Sequence, residues 1–206
     1  MLSKNVLIFC APRTGSTILA NYIAQCLDGQ VITGNYGIDV AAQDKSLVVK
    51  MEDTFLIPDP IKEFFPTFDP RGWTLIKLKR IDEVDHILSL CQRTINYNYS
   101  EHNYKEFTID KETLFATALM IRSCHKQVDS LDPTPFTYCH EINFEDLQDW
   151  PQVCQKLNIP YSKTLEKYNG NTNNSVRDLA RDKWKYVLNR EKVEVWLEEF
   201  YNLFGS

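Results

Sequence analysis

The chain has no C-x-x-C pair, no internal repeat, no low-complexity tract and no apolar run long enough to cross a bilayer. Each absence removes a class of function. The six cysteines (Cys10, Cys26, Cys91, Cys124, Cys139, Cys154) are scattered among apolar neighbours and read as reduced core thiols, not as a disulfide framework or a zinc site. His86, His102, His125 and His140 lack metal-ligand spacing, so no metal is expected. The apolar opening from Val6 to Ala11 is too short for the core of a signal peptide and runs straight into Pro12-Arg13. With Met1 as the native start, a cytoplasmic location is the expectation. Positive charge is short as well: 23 Lys and Arg against 28 Asp and Glu leave a net charge of -5. Such a surface repels nucleic acid and anionic membranes, so neither is expected as a partner, and any anion site must be a local cluster of Arg and Lys. What is plentiful is apolar material, 43% hydrophobic and 12% aromatic, ample for one core over 206 residues. A single domain, 1–206, is expected.

Along the chain, short apolar runs alternate with helical periodicity. Asn5 to Cys10 (NVLIFC), Ser46 to Val49 (SLVV) and Trp73 to Leu78 (WTLIKL) read as buried strands, and Phe136 to Asn143 as a fourth. Gly29 to Gly37 reads as turn-rich and polar. Three- and four-residue apolar spacing predicts helices over Ser16 to Leu27, Glu83 to about Arg93 (capped by Asp82), Lys111 to Ser130, Trp150 to Leu157 and Glu191 to about Phe204. A short apolar helix is expected around Ile61 to Phe65 within a proline-punctuated loop. Strands alternating with helices predict an α/β fold with a mostly parallel central sheet flanked by helices. Ligands of such sheets bind beyond the carboxyl ends of the strands.

Two basic clusters fall at those ends. Ala11-Pro12-Arg13-Thr14-Gly15-Ser16-Thr17 joins the first strand to the first helix, where backbone N–H groups and the helix dipole favour an anion. Gly15 permits close approach, Ser16 and Thr17 carry hydroxyls, and Arg13 adds a permanent charge. The alternative is plain capping by Ser16 or Thr17 with Arg13 solvated. The Walker pattern is absent, because Ser16 stands where its Lys belongs. Lys79-Arg80-Ile81-Asp82 closes the third strand, and Asp82, His86, Ser89 and Arg93 share a face of the next helix. For Arg80 and Arg93 the alternative is surface pairing with Asp82 or Glu83. Lys50 and Glu52, after the second strand, share one face of an extended segment; alternatively they form an exposed charge pair.

A strand followed by P-R-T-G-S-T-I-L resembles the 5′-phosphosulfate loop of the sulfotransferases that use 3′-phosphoadenosine 5′-phosphosulfate (PAPS). The Arg80 and Ser89 pair resembles that family's 3′-phosphate signature, at the longer spacing of its bacterial members. Lys50-Met51-Glu52 stands where the cytosolic enzymes carry K-T-H, with Glu52 replacing the histidine base. The resemblance implies a P-loop-NTPase-like sulfotransferase fold. It implies that Arg13, Thr14, Gly15, Ser16, Thr17, Arg80 and Ser89 bind PAPS, and that Glu52, Lys50 and Arg13 take part in catalysis. The product would be adenosine 3′,5′-bisphosphate, and the acceptor a hydroxyl or amine of a small molecule or saccharide.

Softer matches follow in the C-terminal half. Ile142 to Leu147 resembles the family's Y-E-D-L segment and Trp184 to Leu188 its W-[KR]-x-x-L element, both with packing explanations. The family's R-K-G phosphate loop is missing, with Arg177, Arg181 and Lys185 the nearest basic residues. His102 rivals Glu52 as the base, and Tyr97, Tyr99 and Tyr104 are candidates to line an acceptor pocket. Two other functions fit parts of the pattern: a small-molecule kinase with a degenerate P-loop, and a non-catalytic nucleotide-binding protein. No feature of the sequence specifies an oligomeric state.

Overall fold

The computed structural model describes residues 2–33, 45–51, 69–95, 106–163 and 182–205. Five strands form one sheet: β1 (Asn5–Cys10), β2 (Gln30–Thr33), β3 (Leu47–Met51), β4 (Trp73–Lys79) and β5 (Tyr138–Asn143). Their spatial order is β2-β3-β1-β4-β5, and every pairing is parallel. The helices are α1 (Ser16–Cys26), α2 (Glu83–Ile95), α3 (Lys111–Ser130), α4 (Trp150–Leu157) and α5 (Arg190–Phe204). The described residues also hold two 3-10 turns, Phe144–Gln148 and Lys183–Tyr186. The fold is α/β, a parallel sheet with helices on its faces. The chain divides into two compact units, Met1–Ile81 with Cys124–Ala180 and Asp82–Ser123 with Arg181–Ser206.

The first unit holds the sheet. β1, β3 and β4 are apolar almost throughout because both of their faces are covered. Alternation sorts their side chains: Val6, Ile8, Cys10, Val48, Ile76 and Leu78 meet Leu19, Ile23, Val153 and Leu157 of α1 and α4. Leu7, Phe9, Val49, Met51 and Leu75 face the other way, toward Val128 of α3 and Phe136. From β1 the chain runs outward to β2 and back through β3, whereas β4 and β5 lie on the opposite side of β1. The carboxyl ends of β1 and β4 therefore flank the point where the strand order reverses, the usual ligand crevice of such sheets.

The expectation of a turn-rich Gly29 to Gly37 is corrected in part, since Gln30–Thr33 forms β2. It pairs Val31 with Val48 and Ile32 with Val49. A four-residue strand is too short to display a period, and only its β-branched content marks it. The fourth expected strand narrows to Tyr138–Asn143, and as a sheet edge it is largely exposed, only Ile142 being fully buried. Cys139 is accordingly an exposed thiol, against the expectation of six core cysteines. The helix expected around Ile61 to Phe65 lies outside the described residues.

The second unit has its own core. Ile87, Leu88 and Cys91 of α2 pack with Leu114, Ala118 and Ile121 of α3 and with Val193, Leu197 and Phe200 of α5. Asp82 caps α2 by accepting from Asp85 N at 2.8 Å, and Asp110 caps α3 by accepting from Thr113 N at 2.8 Å. Asn189 fastens the chain before α5 to Ile109 in both directions, its Oδ1 accepting from Ile109 N and its Nδ2 donating to Ile109 O. Arg122 donates from Nε to Glu83 at 2.6 Å and lies over the Phe200 and Tyr201 rings. Glu83 is thus engaged within this unit.

Candidate functional site

The turn after β1 is shaped from within. Thr14 is fully buried and its hydroxyl donates to the Ala11 carbonyl at 2.8 Å, so this side chain braces the turn. Arg13 and Gly15 both take left-handed backbone angles, φ 64° and 76°. Gly15 is the N-cap of α1, and no side chain supplies a capping bond there. Plain capping by Ser16 or Thr17 is therefore not how α1 begins. Instead Ser16 and Thr17 occupy its first turn, and the Gly15 carbonyl accepts from Ile18 N and Leu19 N at 3.0 and 3.1 Å. The positive end of the helix dipole opens at the carboxyl edge of the sheet.

Lys50 reaches this turn from β3. Its position in the alternation puts it on the α1 face, and its Nζ donates to Thr17 Oγ1 at 2.9 Å. The residue is only 7% exposed, so this is a desolvated cation held against the helix start and not half of an exposed charge pair. Arg80 comes from the opposite side, directly after β4. It is 2% exposed; its Nη1 donates to the Arg13 carbonyl at 3.3 Å, and its guanidinium sits 4.0 Å above the Phe144 ring. Its sequence neighbour Lys79 goes elsewhere, to Asp129 at 2.6 Å on the other face of the sheet. Three segments singled out in the sequence, around Arg13, Lys50 and Arg80, thus converge at the ends of the three adjacent strands β3, β1 and β4.

No family model matches the chain, and no curated protein matches it. Among solved structures it is similar to a sulfotransferase domain from the curacin biosynthetic pathway. That likeness covers 98% of this chain and 97% of the other, at 16% sequence identity and a TM-score of 0.48. It identifies no site residue.

The remaining candidates divide. Glu52, Arg177, Arg181, His102, Tyr97, Tyr99 and Tyr104 lie outside the described residues. Ser89 belongs to the second unit, buried on α2 one turn from the buried His86. Arg93 of the same helix is exposed. Among the C-terminal basic residues Lys185 is exposed, whereas Lys183, which the sequence does not single out, is 5% exposed. In a K-W-K-Y segment that forms a 3-10 turn, neither strand nor α-helix periodicity separates the two lysines.

The segment after β5, which the sequence marks only as a softer match with a packing explanation, forms the 3-10 turn Phe144–Gln148 beside the turn after β1. Phe144 carries the Arg80 guanidinium, and both oxygens of Glu145 accept from Ile81 N, at 3.1 and 3.2 Å. The signal was the segment Asn143-Phe144-Glu145-Asp146, in which Asn143 and Asp146 form a reciprocal capping box. Among the described residues no group of three or more His, Cys, Asp or Glu side chains is arranged to hold a metal, and no helix is long and apolar enough to cross a membrane.

Proposed function

We propose that the protein is a sulfotransferase that moves the sulfuryl group of PAPS to a hydroxyl or amine of a small-molecule or saccharide acceptor. The observation that carries this reading is the Lys50–Thr17 contact at 2.9 Å. It sets a nearly buried cation against the start of α1, beside a turn whose backbone is left-handed at Arg13 and Gly15. An anion of high charge density suits such a place. A kinase P-loop would put its lysine on the turn itself; here the cation arrives from the neighbouring strand, as the resemblance to sulfotransferases requires.

PAPS supplies an activated sulfuryl group joined through oxygen to a 5′-phosphate. In the proposed reaction Arg13, Lys50 and the Gly15-Ser16-Thr17 backbone hold the sulfuryl oxygens and the leaving phosphate oxygen. Glu52 takes the proton of the acceptor hydroxyl as that oxygen bonds to sulfur. The bond from sulfur to the phosphate oxygen breaks, its electron pair leaving with adenosine 3′,5′-bisphosphate. Positioned cations stabilise the dispersed negative charge throughout. Arg80 serves the nucleotide's 3′-phosphate end and, through its bond to the Arg13 carbonyl, the turn itself. Nothing in this proposal depends on Ser89, which belongs to the second unit.

The test is calorimetric binding of adenosine 3′,5′-bisphosphate, with ATP and Mg²⁺ as the comparison, followed by transfer from sulfur-35-labelled PAPS to a panel of hydroxylated acceptors. Wild type is expected to prefer the bisphosphate. Lys50→Met removes the charge and keeps the stem. It is expected to lower turnover about 100-fold, on the scale of a lost transition-state contact of roughly 3 kcal/mol. Preference for ATP and Mg²⁺ would select the kinase reading, and bisphosphate binding without turnover of any acceptor would select a non-catalytic nucleotide-binding protein.

A further inference from the structure

The turn after β1 is unusual in placing two residues, one of them not glycine, at positive φ within three positions. The internal bond from Thr14 to Ala11 does not fix Arg13, whose left-handed backbone lies above its extended and helical alternatives in energy. Something must press it into shape. A Cβ built on Gly15 would come within 2.6 Å of Leu147 Cδ1 and 3.2 Å of Phe144 Cδ2. Leu147 and Phe144 of the 3-10 turn therefore occupy the space that a side chain on Gly15 would need. Phe144 and Leu147 are themselves fixed, 7% and 0% exposed, in the core shared with α1 and α4.

The same phenylalanine acts at a second point. Its ring lies 4.0 Å beneath the Arg80 guanidinium, whose Nη1 reaches the Arg13 carbonyl. One aromatic side chain thus touches the turn at Gly15 directly and at Arg13 through Arg80, the two positions with left-handed backbone. The 3-10 turn is in turn locked to the end of β4 by Glu145 on Ile81 N and internally by the Asn143–Asp146 capping box.

We infer that Phe144, seconded by Leu147, is a positioning residue for the anion-binding turn: it holds Arg13 to Thr17 in the binding shape before any ligand arrives. It touches no reacting atom. The energetic logic is preorganisation, since a turn that had to be ordered on binding would lose affinity to that ordering. The inference takes from the proposed function only that this turn receives the anionic end of a nucleotide. The shape-holding itself is independent of which nucleotide that is.

Hydrogen exchange of the full chain, followed in peptides covering residues 11–19, tests it in wild type, Phe144→Ala, Phe144→Tyr and Leu147→Ala. In Phe144→Ala exchange at the turn is expected to rise at least tenfold while peptides from β1 and β3 keep their wild-type rates. Phe144→Tyr, which retains the ring, is expected to restore wild-type exchange. Titration of the same proteins with adenosine 3′,5′-bisphosphate should show about tenfold weaker binding for Phe144→Ala and none of that loss for Phe144→Tyr. Unchanged exchange at the turn in Phe144→Ala, or a tyrosine variant as loose as the alanine one, overturns the inference. If Phe144→Ala does not fold, Leu147→Ala carries the same comparison. Exchange that responds as expected in a protein that never binds the bisphosphate would leave the positioning role standing and remove the proposed function.

Discussion

At Gly15 two demands fall on one residue. The backbone is left-handed at φ 76°, and the direction of the missing side chain is closed by Leu147 and Phe144. In the sequence this glycine reads as permitting close approach of a ligand; the packing beneath it gives a second reason, independent of any ligand. Gly15→Ala must accept a left-handed alanine, about 1–2 kcal/mol, and displace buried side chains, typically another 1–3 kcal/mol. A loss of roughly 3 kcal/mol in urea unfolding is expected. A loss below about 1 kcal/mol would show that the turn moves aside freely, and that the left-handed angle is not enforced from below. Lys50 is the converse case. Alternation in the sequence puts Lys50 on one face with Glu52 near the strand's carboxyl end, but only the fold reveals that its ammonium reaches Thr17, 33 residues earlier.

Elements were legible wherever local chemistry alone decided them. Asp82 announces the start of α2 and caps it as expected, and Asp110, directly before Lys111, caps α3 in the same way. The buried strands β1, β3 and β4 show as apolar runs because both of their faces are covered. Elements set by tertiary partners were not legible: β2 exists through its pairing with β3, and the 3-10 turn after β5 gains its meaning only against Gly15 and Arg80. The site followed the same division. The positions of Arg13, Lys50 and Arg80 at strand ends could be read, whereas the burial of Arg80 on Phe144 and the inward turn of Thr14 could not, since both depend on residues distant in sequence. The cap of α3 supplies a test at this scale. Hydrogen bonds from the Thr113 N–H and hydroxyl hold the Asp110 carboxyl below its ordinary value of 3.8. A lowered folded-state pKa means that the unfolded chain binds the proton first as pH falls. The contribution is therefore present above the ordinary value and disappears as pH drops through the depressed one. Asp110→Ala should lose about 1 kcal/mol at neutral pH, and the gap to wild type should close in acid. A gap that persists unchanged below pH 3 would show that charge plays no part in the cap.

Among the described residues, large upward shifts of thiols and phenols lie at the alkaline end and occur in both units. In the first, burial and then the bond to Cys154 drive the Tyr22 phenol upward, while its oxygen accepts from Ser162 N at 2.8 Å and its ring stacks on Trp150 at 4.5 Å. Burial, with Cys154 adding to it, pushes the Cys26 thiol to about 11. In the second unit burial lifts Cys91 to about 11, and burial followed by the nearby Glu83 lifts Tyr201 to about 12. For each group the folded pKa exceeds the unfolded one, so the unfolded chain releases its proton first as pH rises. Stability is complete below the unfolded values and falls as pH climbs, between about 9 and 11 for the thiols and from 10 upward for the tyrosines. For Cys91, the most enclosed of these thiols, a move from 9.0 to about 11 corresponds to on the order of 3 kcal/mol. Urea midpoints measured at pH 8, 9.5 and 10.5 should therefore decline. Cys91→Ala, whatever it costs at pH 8, should decline less steeply than wild type, because one of the protons that the folded state retains is gone. Midpoints that stay level to pH 10.5, or a Cys91→Ala slope equal to that of wild type, would mean that the buried thiols ionise in the folded protein as readily as in the unfolded chain.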